Sequence, residues 1–169
     1  MFQFSIRPST TRNVLERVAD AISHGFTWIE VEGEINDDLY DAVEKECKDN
    51  GIIMTITDDI ELLKTRKCHG ILLPLEHEQD IVNLREQLGG HPIVGLSVNS
   101  GTEIGEVRHL DSDYIAFNCE NYKEACDFIE KHGNRFTLPV VARSSNLTFE
   151  EANQLIEKGF NGICIKCRC

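Results

Sequence analysis

Short apolar runs alternate along the chain with segments in which apolar residues recur every three or four positions. Runs of the first kind are typical of strands buried on both faces of a parallel sheet, and the spaced pattern is typical of amphipathic helices. The stretch 51–75, GIIMTITDDIELLKTRKCHGILLPL, shows both. It predicts a strand at 52–56, a short helix, and a second strand at 71–73, which together form one βαβ step.

The same pattern continues over the rest of the chain and predicts eight strands with seven helices between them. Ser9, Thr10 or Thr11 is expected to cap the first helix, with an apolar stripe of Val14, Leu15, Val18, Ala19 and Ile22. Another helix is predicted around Ile104 and Val107, and Thr148 with Glu151 predicts a capping box. The predicted strands cover 2–7, 27–34, 52–56, 71–73, 93–98, 113–117, 138–142 and 162–165.

Uninterrupted alternation without a Ser- or Pro-rich linker indicates a single α/β domain over residues 1–169. Eight strands favour closure into a (β/α)₈ TIM barrel, minimal in its loops and lacking the eighth helix, since barrels usually have ~250 residues. The alternative is an open flavodoxin-like or Rossmann sheet. It is disfavoured because no Gly-rich phosphate turn follows the first strand.

Composition narrows the classes of partner. The formal net charge is −12, from 29 acidic and 17 basic residues, which disfavours nucleic acid and anionic membrane surfaces as partners. The amino-terminal residues do not form a signal sequence, and no apolar run approaches the ~20 residues of a spanning helix, so a cytoplasmic protein is expected.

Seven scattered Cys indicate reduced thiols. Cys164, Cys167 and Cys169 could contact a soft metal, but they lack an obvious fourth ligand.

The order of several segments resembles that of thiamin phosphate synthase and its relative, the thiazole tautomerase. The matching segments are WIEVEGE, GIIMTITDDIEL, HGILLPLEHE, PIVGLSVNS, SDYIAFN, LPVVARSS and EKGFNGICI. The resemblance implies a barrel, a role in thiamin biosynthesis and a transferase reaction. In that reaction Mg²⁺ binds a pyrimidine pyrophosphate, whose pyrimidine is joined to a thiazole phosphate. It also implies a possible homodimer.

The chain departs from this family at the positions that would carry the chemistry. The period of two along the second strand predicts that Glu30, Glu32 and Glu34 lie on one side of it. These three glutamates stand where the family has Gln, Arg and Lys. Asp58 matches a metal-binding Asp of the family, whereas His77 replaces the second one. The sign of the charge at the pyrophosphate position is therefore reversed, and the resemblance supports the fold more strongly than the reaction.

A cation site and an anion site are both predicted at the carboxyl ends of the strands. Asp58 and Asp59 could bind Mg²⁺, or Asp59 could simply cap the following helix. By the resemblance, Ser144 and Ser145 stand where the family has the Gly-Gly of a phosphate cup, and together with Arg143 they are expected to hold an anion. The full set of predicted ligand-binding residues is Glu30, Glu32, Ser97, Asn99, Arg143, Ser144, Ser145 and Lys166.

Two arrangements of these charges are open from the sequence. Glu30 or Glu32 could pair with Arg7 and Arg143 and fill an abandoned pocket. Alternatively, acids on one wall and cations on the other could form an open pocket for a small zwitterionic or cationic ligand that carries a phosphate or carboxylate.

Three functions follow as hypotheses. The first is a divergent protein that binds a small phosphorylated or anionic ligand, in which the coupling reaction of the family is doubtful. The second is an active thiamin phosphate synthase. The third is a non-catalytic barrel that acts as an interaction partner.

Overall fold

The structure is a computed structural model that describes residues 1–66, 68–88, 91–102, 105 and 111–167; for 77–79 it describes the backbone only. The predicted helix around Ile104 and Val107 and the predicted role of Cys169 fall outside the described residues. The side chain of His77 is likewise not described.

Eight parallel strands close into a barrel in which each strand pairs with the next and β8 pairs with β1. This confirms the predicted TIM-type barrel. The strands are β1 Phe2–Ile6, β2 Trp28–Val31, β3 Ile53–Thr57, β4 Gly70–Pro74, β5 Ile93–Val98, β6 Tyr114–Asn118, β7 Val140–Ser144 and β8 Gly162–Lys166.

Six helices are described around the barrel, and none follows β8 in the part of the chain that the structure describes. No described helix is both long and apolar enough to cross a bilayer. The helices are α1 Val14–Ser23, α2 Asp37–Asp49, α3 Ile60–Thr65, α4 Glu78–Leu88, α5 Tyr122–His132 and α6 Phe149–Lys158.

The first helix begins later than predicted. The amide groups of Thr10 and Thr11 both donate to the carbonyl oxygen of Arg7, so these residues form a turn. Asn13, in a left-handed conformation, takes the N-cap position without a side-chain hydrogen bond. Leu15 is exposed, so the predicted apolar stripe is too wide. The capping box of Thr148 and Glu151 is confirmed.

Apolar side chains fill the part of the barrel interior that lies nearest the amino ends of the strands. Trp28, Leu72, Tyr114 and Cys164 pack there as one cluster. A Cβ atom on Gly95 would lie 2.2 Å from Cζ of Tyr114, so this ring needs a glycine opposite it. The charged side chains of the barrel interior lie nearer the carboxyl ends of the strands. This end of the barrel is called the mouth below.

Candidate functional site

Arg143 reaches from β7 across the barrel to two carboxylates of β2. Its Nε and Nη2 donate to Oε1 of Glu30 at 3.0 and 2.6 Å, and Nη2 also donates to Oε1 of Glu32 at 2.5 Å. The side chains of Arg143 and Glu30 are 7% and 0% exposed. The geometry therefore matches the predicted ion-paired filling of the barrel, with Arg143 as the central cation.

Glu32 joins this buried pair to the surface of the mouth. Its Oε2 accepts from Nη2 of Arg7 at 2.8 Å, and its Oε1 accepts from Oγ of Ser5 at 2.5 Å and lies 3.4 Å from Nζ of Lys166. One carboxylate thus contacts three cationic side chains. Arg7, Glu30, Glu32, Arg143 and Lys166 are called the ion-pair cluster below.

The surroundings of Glu32 favour its ionised form. Burial acts to raise the pKa of its carboxyl group, but the charge of Arg143, the hydrogen bond from Ser5, and the cations Lys166 and Arg7 outweigh burial and hold the pKa below its ordinary value. For Arg143, burial acts to lower the pKa, and the charge of Glu30 is the first of the contributions that raise it overall. Both directions favour the charged forms of Glu32 and Arg143 at neutral pH.

Two polar residues that were not among the predicted site residues hold Arg143 in place. Asn118 accepts from Nη1 of Arg143 at 3.0 Å and donates to Oγ of Ser97 at 2.6 Å. Ser5 contacts both Glu32 and Arg143. A signal for Ser5 was present, because Gln3, Ser5 and Arg7 alternate along β1 with the period of two that places side chains on one face.

Two adjoining cavities open at the mouth and share Ser145 and Lys166. The smaller, about 340 Å³, is lined by Ser5, Arg7, Thr10, Glu32 and Cys167 besides these two. The larger, about 470 Å³, extends towards β5 and β6. Another cavity of about 480 Å³ lies at the amino end of β3. It lies far from the ion-pair cluster, so the mouth is the better candidate site.

Other predicted ligand-binding residues lie at this mouth in different roles. Ser144 is buried, and its Oγ accepts from the amide of Asn146. Asn99 is exposed, lines the larger cavity and accepts from the amide of Gly101. Glu34 is exposed because β2 ends at Val31, so the expectation that three glutamates share one face is wrong beyond Glu32.

The structure shows Asp59 in the capping role that the sequence left open beside Mg²⁺ binding. Asp59 is the N-cap of α3, and its Oδ1 accepts from the amide of Leu62 at 2.8 Å. Asp58 is exposed, has φ of 56°, and lines neither cavity of the mouth. Within the described ranges, no three His, Cys, Asp or Glu side chains are grouped to hold a metal ion. Magnesium binding at these residues stays a prediction without structural support.

A substitution at Asp59 can separate its two possible roles. Asp59→Ala is expected to lower the free energy of unfolding by about 0.5–2 kcal/mol, because the helix loses its N-cap. Asp59→Ser is expected to lower it much less, because serine can also accept the capping hydrogen bond. The measurement is urea unfolding with and without MgCl₂. If MgCl₂ stabilises the unsubstituted chain and stabilises neither variant, Asp59 is a metal ligand instead.

The carboxyl-terminal cysteines do not converge in the described part of the chain. Cys164 is fully buried in the barrel interior beside Trp28 and Tyr114. Cys167 lines the smaller cavity at the mouth. The idea of a soft-metal site at this end of the chain therefore has no support from the residues that the structure describes.

The family of the chain follows from comparison with known proteins. A family model described as thiamine monophosphate synthase matches residues 4–166. The chain belongs to the thiamine monophosphate synthase family. This match covers nearly all of the barrel, from β1 to the end of β8, and it confirms the resemblance seen in the sequence motifs.

Individual members of the thiamine monophosphate synthase family show how far this chain has diverged. It is 24% identical to a thiamine-phosphate synthase of Phocaeicola vulgatus over 186 residues, covering 96% of this chain and 86% of the relative. A thiamine phosphate pyrophosphorylase of Pyrococcus furiosus superposes with a TM-score of 0.78 at 17% identity, covering 97% of this chain and 84% of that one. The superposition shows a shared fold.

Proposed function

We propose that this chain is a divergent member of its family that binds a small phosphorylated ligand at the mouth and no longer joins the family's two substrates. The observation that carries the proposal is the ion-pair cluster. It fills the barrel interior with paired charges, and it leaves two of its cations, Arg7 and Lys166, partly exposed in a polar cavity.

Arg7 and Lys166 are the groups available to an anion. Their side chains are 56% and 33% exposed, whereas that of Arg143 is 7% exposed. The cluster has three cations and two carboxylates, so its net charge is positive. Ser145 lies between both cavities, at the β7–β8 side of the mouth where barrels frequently bind phosphate.

The same cluster opposes the coupling reaction of the family. A pyrophosphate placed over β2 would meet the carboxylates of Glu30 and Glu32, and one like-charge contact at 4 Å costs ~4 kcal/mol at an effective dielectric constant of ~20. Arg143 cannot offset this repulsion without leaving Glu30 without its salt-bridge partner in a fully buried position. A pyrimidine could enter the barrel only by displacing these ion pairs.

Retention of the family reaction is the second candidate, and the family match over residues 4–166 favours it. It requires that substrate binding reorganise the ion-pair cluster. An activity assay decides between the two proposed functions. The protein is incubated with pyrimidine pyrophosphate, thiazole phosphate and MgCl₂, and thiamin phosphate is then measured. We expect no product above the uncatalysed background, and enzymatic turnover would overturn the first proposal.

Anion binding is tested by calorimetric titration with inorganic phosphate. Lys166→Met and Arg7→Met are each expected to weaken binding about 10-fold, because a hydrogen bond to a charged group contributes about 1.5 kcal/mol or more. Lys123→Met, an equal change of charge on the exposed face of α5, is the control and should leave the affinity unchanged. Binding that is absent, or insensitive to Lys166 and Arg7, would contradict the proposal.

Magnesium is not part of this proposal. Asp58 lies at the end of β3 and lines neither cavity of the mouth, whereas the phosphate position lies at β8 and β1. The titration is therefore expected to give the same phosphate affinity with MgCl₂ and with a chelator.

A further inference from the structure

We infer that the ligand is a polyhydroxylated phosphate, that is, a sugar or polyol phosphate rather than a phosphorylated heterocycle. This inference rests on the proposed function and specifies its ligand class. The observation behind it is the chemistry of the larger cavity. Its described lining consists of polar and charged residues and one cysteine, and it includes Asn99, Glu120, Arg143, Ser145 and Lys166.

No aromatic or aliphatic side chain is among the described residues that line either cavity of the mouth. Sites for drug-sized and heterocyclic molecules are usually lined mainly by apolar and aromatic side chains with few polar groups. Here the proportions are reversed, and the apolar side chains of the barrel interior lie below the ion-pair cluster. The described lining residues offer a flat ring no apolar side chain on which to stack, whereas hydroxyl groups would find donors and acceptors among them.

Two of the residues that line the larger cavity, Asn99 and Glu120, have side-chain groups with no described hydrogen bond. Asn99 uses its Oδ1 for the amide of Gly101 and makes no described hydrogen bond through Nδ2. Glu120 is exposed, and its backbone amide, not its carboxylate, is the group that bonds to Glu124. One donor amide and one acceptor carboxylate suit neighbouring hydroxyl groups, each of which both donates and accepts.

The position of the two cavities orients such a ligand. They meet at Ser145 and Lys166, so a phosphate held at this junction and at Arg7 would place the rest of the molecule in the larger cavity. That cavity, about 470 Å³, is large enough for a pentose or hexose. Arg143 lines this cavity, and its ion pair with the buried Glu30 closes the barrel interior behind it, so the ligand would stay at the mouth.

The test compares calorimetric affinities for ribose 5-phosphate, glycerol 3-phosphate, thiazole phosphate and inorganic phosphate. Ribose 5-phosphate is expected to bind at least 10-fold more tightly than inorganic phosphate, with glycerol 3-phosphate between them. In Glu120→Ala the ratio of the ribose 5-phosphate affinity to the phosphate affinity should fall about threefold or more, as expected for loss of one or two hydrogen bonds. The ratio is used because removing one negative charge from the site should strengthen the binding of every phosphate compound, and this common effect cancels in the ratio.

Glu150→Ala is the matched control, because it removes an exposed carboxylate of α6 that lines neither cavity. It should leave the ratio unchanged. Three results would overturn the inference while leaving phosphate binding in place. They are equal affinities for phosphate and ribose 5-phosphate, an affinity ratio that does not change in Glu120→Ala, and binding of thiazole phosphate that is tighter than that of ribose 5-phosphate. Absence of binding by all four compounds would instead refute the proposed function.

Discussion

Replacing Arg143 with methionine is expected to lower the free energy of unfolding by about 3–5 kcal/mol, because removing one partner of a buried ion pair leaves an uncompensated charge. In this chain two carboxylates are affected. Glu30 and Glu32 are 0% and 5% exposed, and Glu30 has Arg143 as its salt-bridge partner. The measurement is urea unfolding at pH 7, followed by circular dichroism.

Two further variants make this test specific. Arg17→Met removes an exposed arginine of α1 and should change stability by no more than about 0.5 kcal/mol. Adding Glu30→Gln to Arg143→Met should recover part of the loss, because the amide replaces the unpaired buried charge. A loss below about 1 kcal/mol in Arg143→Met, with no recovery in the double variant, would mean that water reaches these carboxylates and that the barrel interior is open.

The barrel itself was predictable because its signals are local. Buried runs of four to six residues alternate with amphipathic segments, and parallel strands joined by such helices close with few alternatives. Element boundaries were less certain. The strand predicted at 138–142 is Val140–Ser144, since an apolar run does not reveal which of its residues pair with the neighbouring strands.

The charges at the mouth were predictable only in part. The period of two along a strand correctly placed Glu30 and Glu32 on one face. It failed at Glu34 because the alternation of residues does not show where β2 ends. Arg143 is 113 residues from Glu30 in sequence. Whether these two side chains meet depends on closure of the barrel and on the register of β7, so the sequence left the paired and open arrangements equally available.

Under the proposed function, the ion-pair cluster would allow the family fold to keep a ligand position while the coupling reaction is lost. Lys166 and Arg7 lie at the solvent side of Glu32, and Arg143 lies on its buried side. The barrel therefore has a sealed inner part and a cationic outer part. A ligand that enters the mouth would meet Arg7 and Lys166 and the edge of Arg143 that lines the larger cavity, an arrangement that suits recognition of a phosphate.

Replacing Glu32 with glutamine is expected to change the acid sensitivity of the fold. In the folded chain the pKa of Glu32 is held below its ordinary value of 4.5. A carboxyl group whose pKa is lowered by folding stabilises the folded state above its unfolded pKa, and this contribution is lost as the pH falls through the folded pKa. Glu32→Gln removes the charge at every pH.

At pH 7 the glutamine variant should therefore be less stable by about 1.5–3 kcal/mol, because hydrogen bonds to a charged group are lost. The difference from the unsubstituted chain should stay constant down to about pH 5, shrink below the ordinary pKa of 4.5, and vanish at still lower pH. Urea unfolding between pH 3 and pH 7 measures it. A difference that does not depend on pH would show that Glu32 stabilises the mouth by packing and not as the shared anion of three cations.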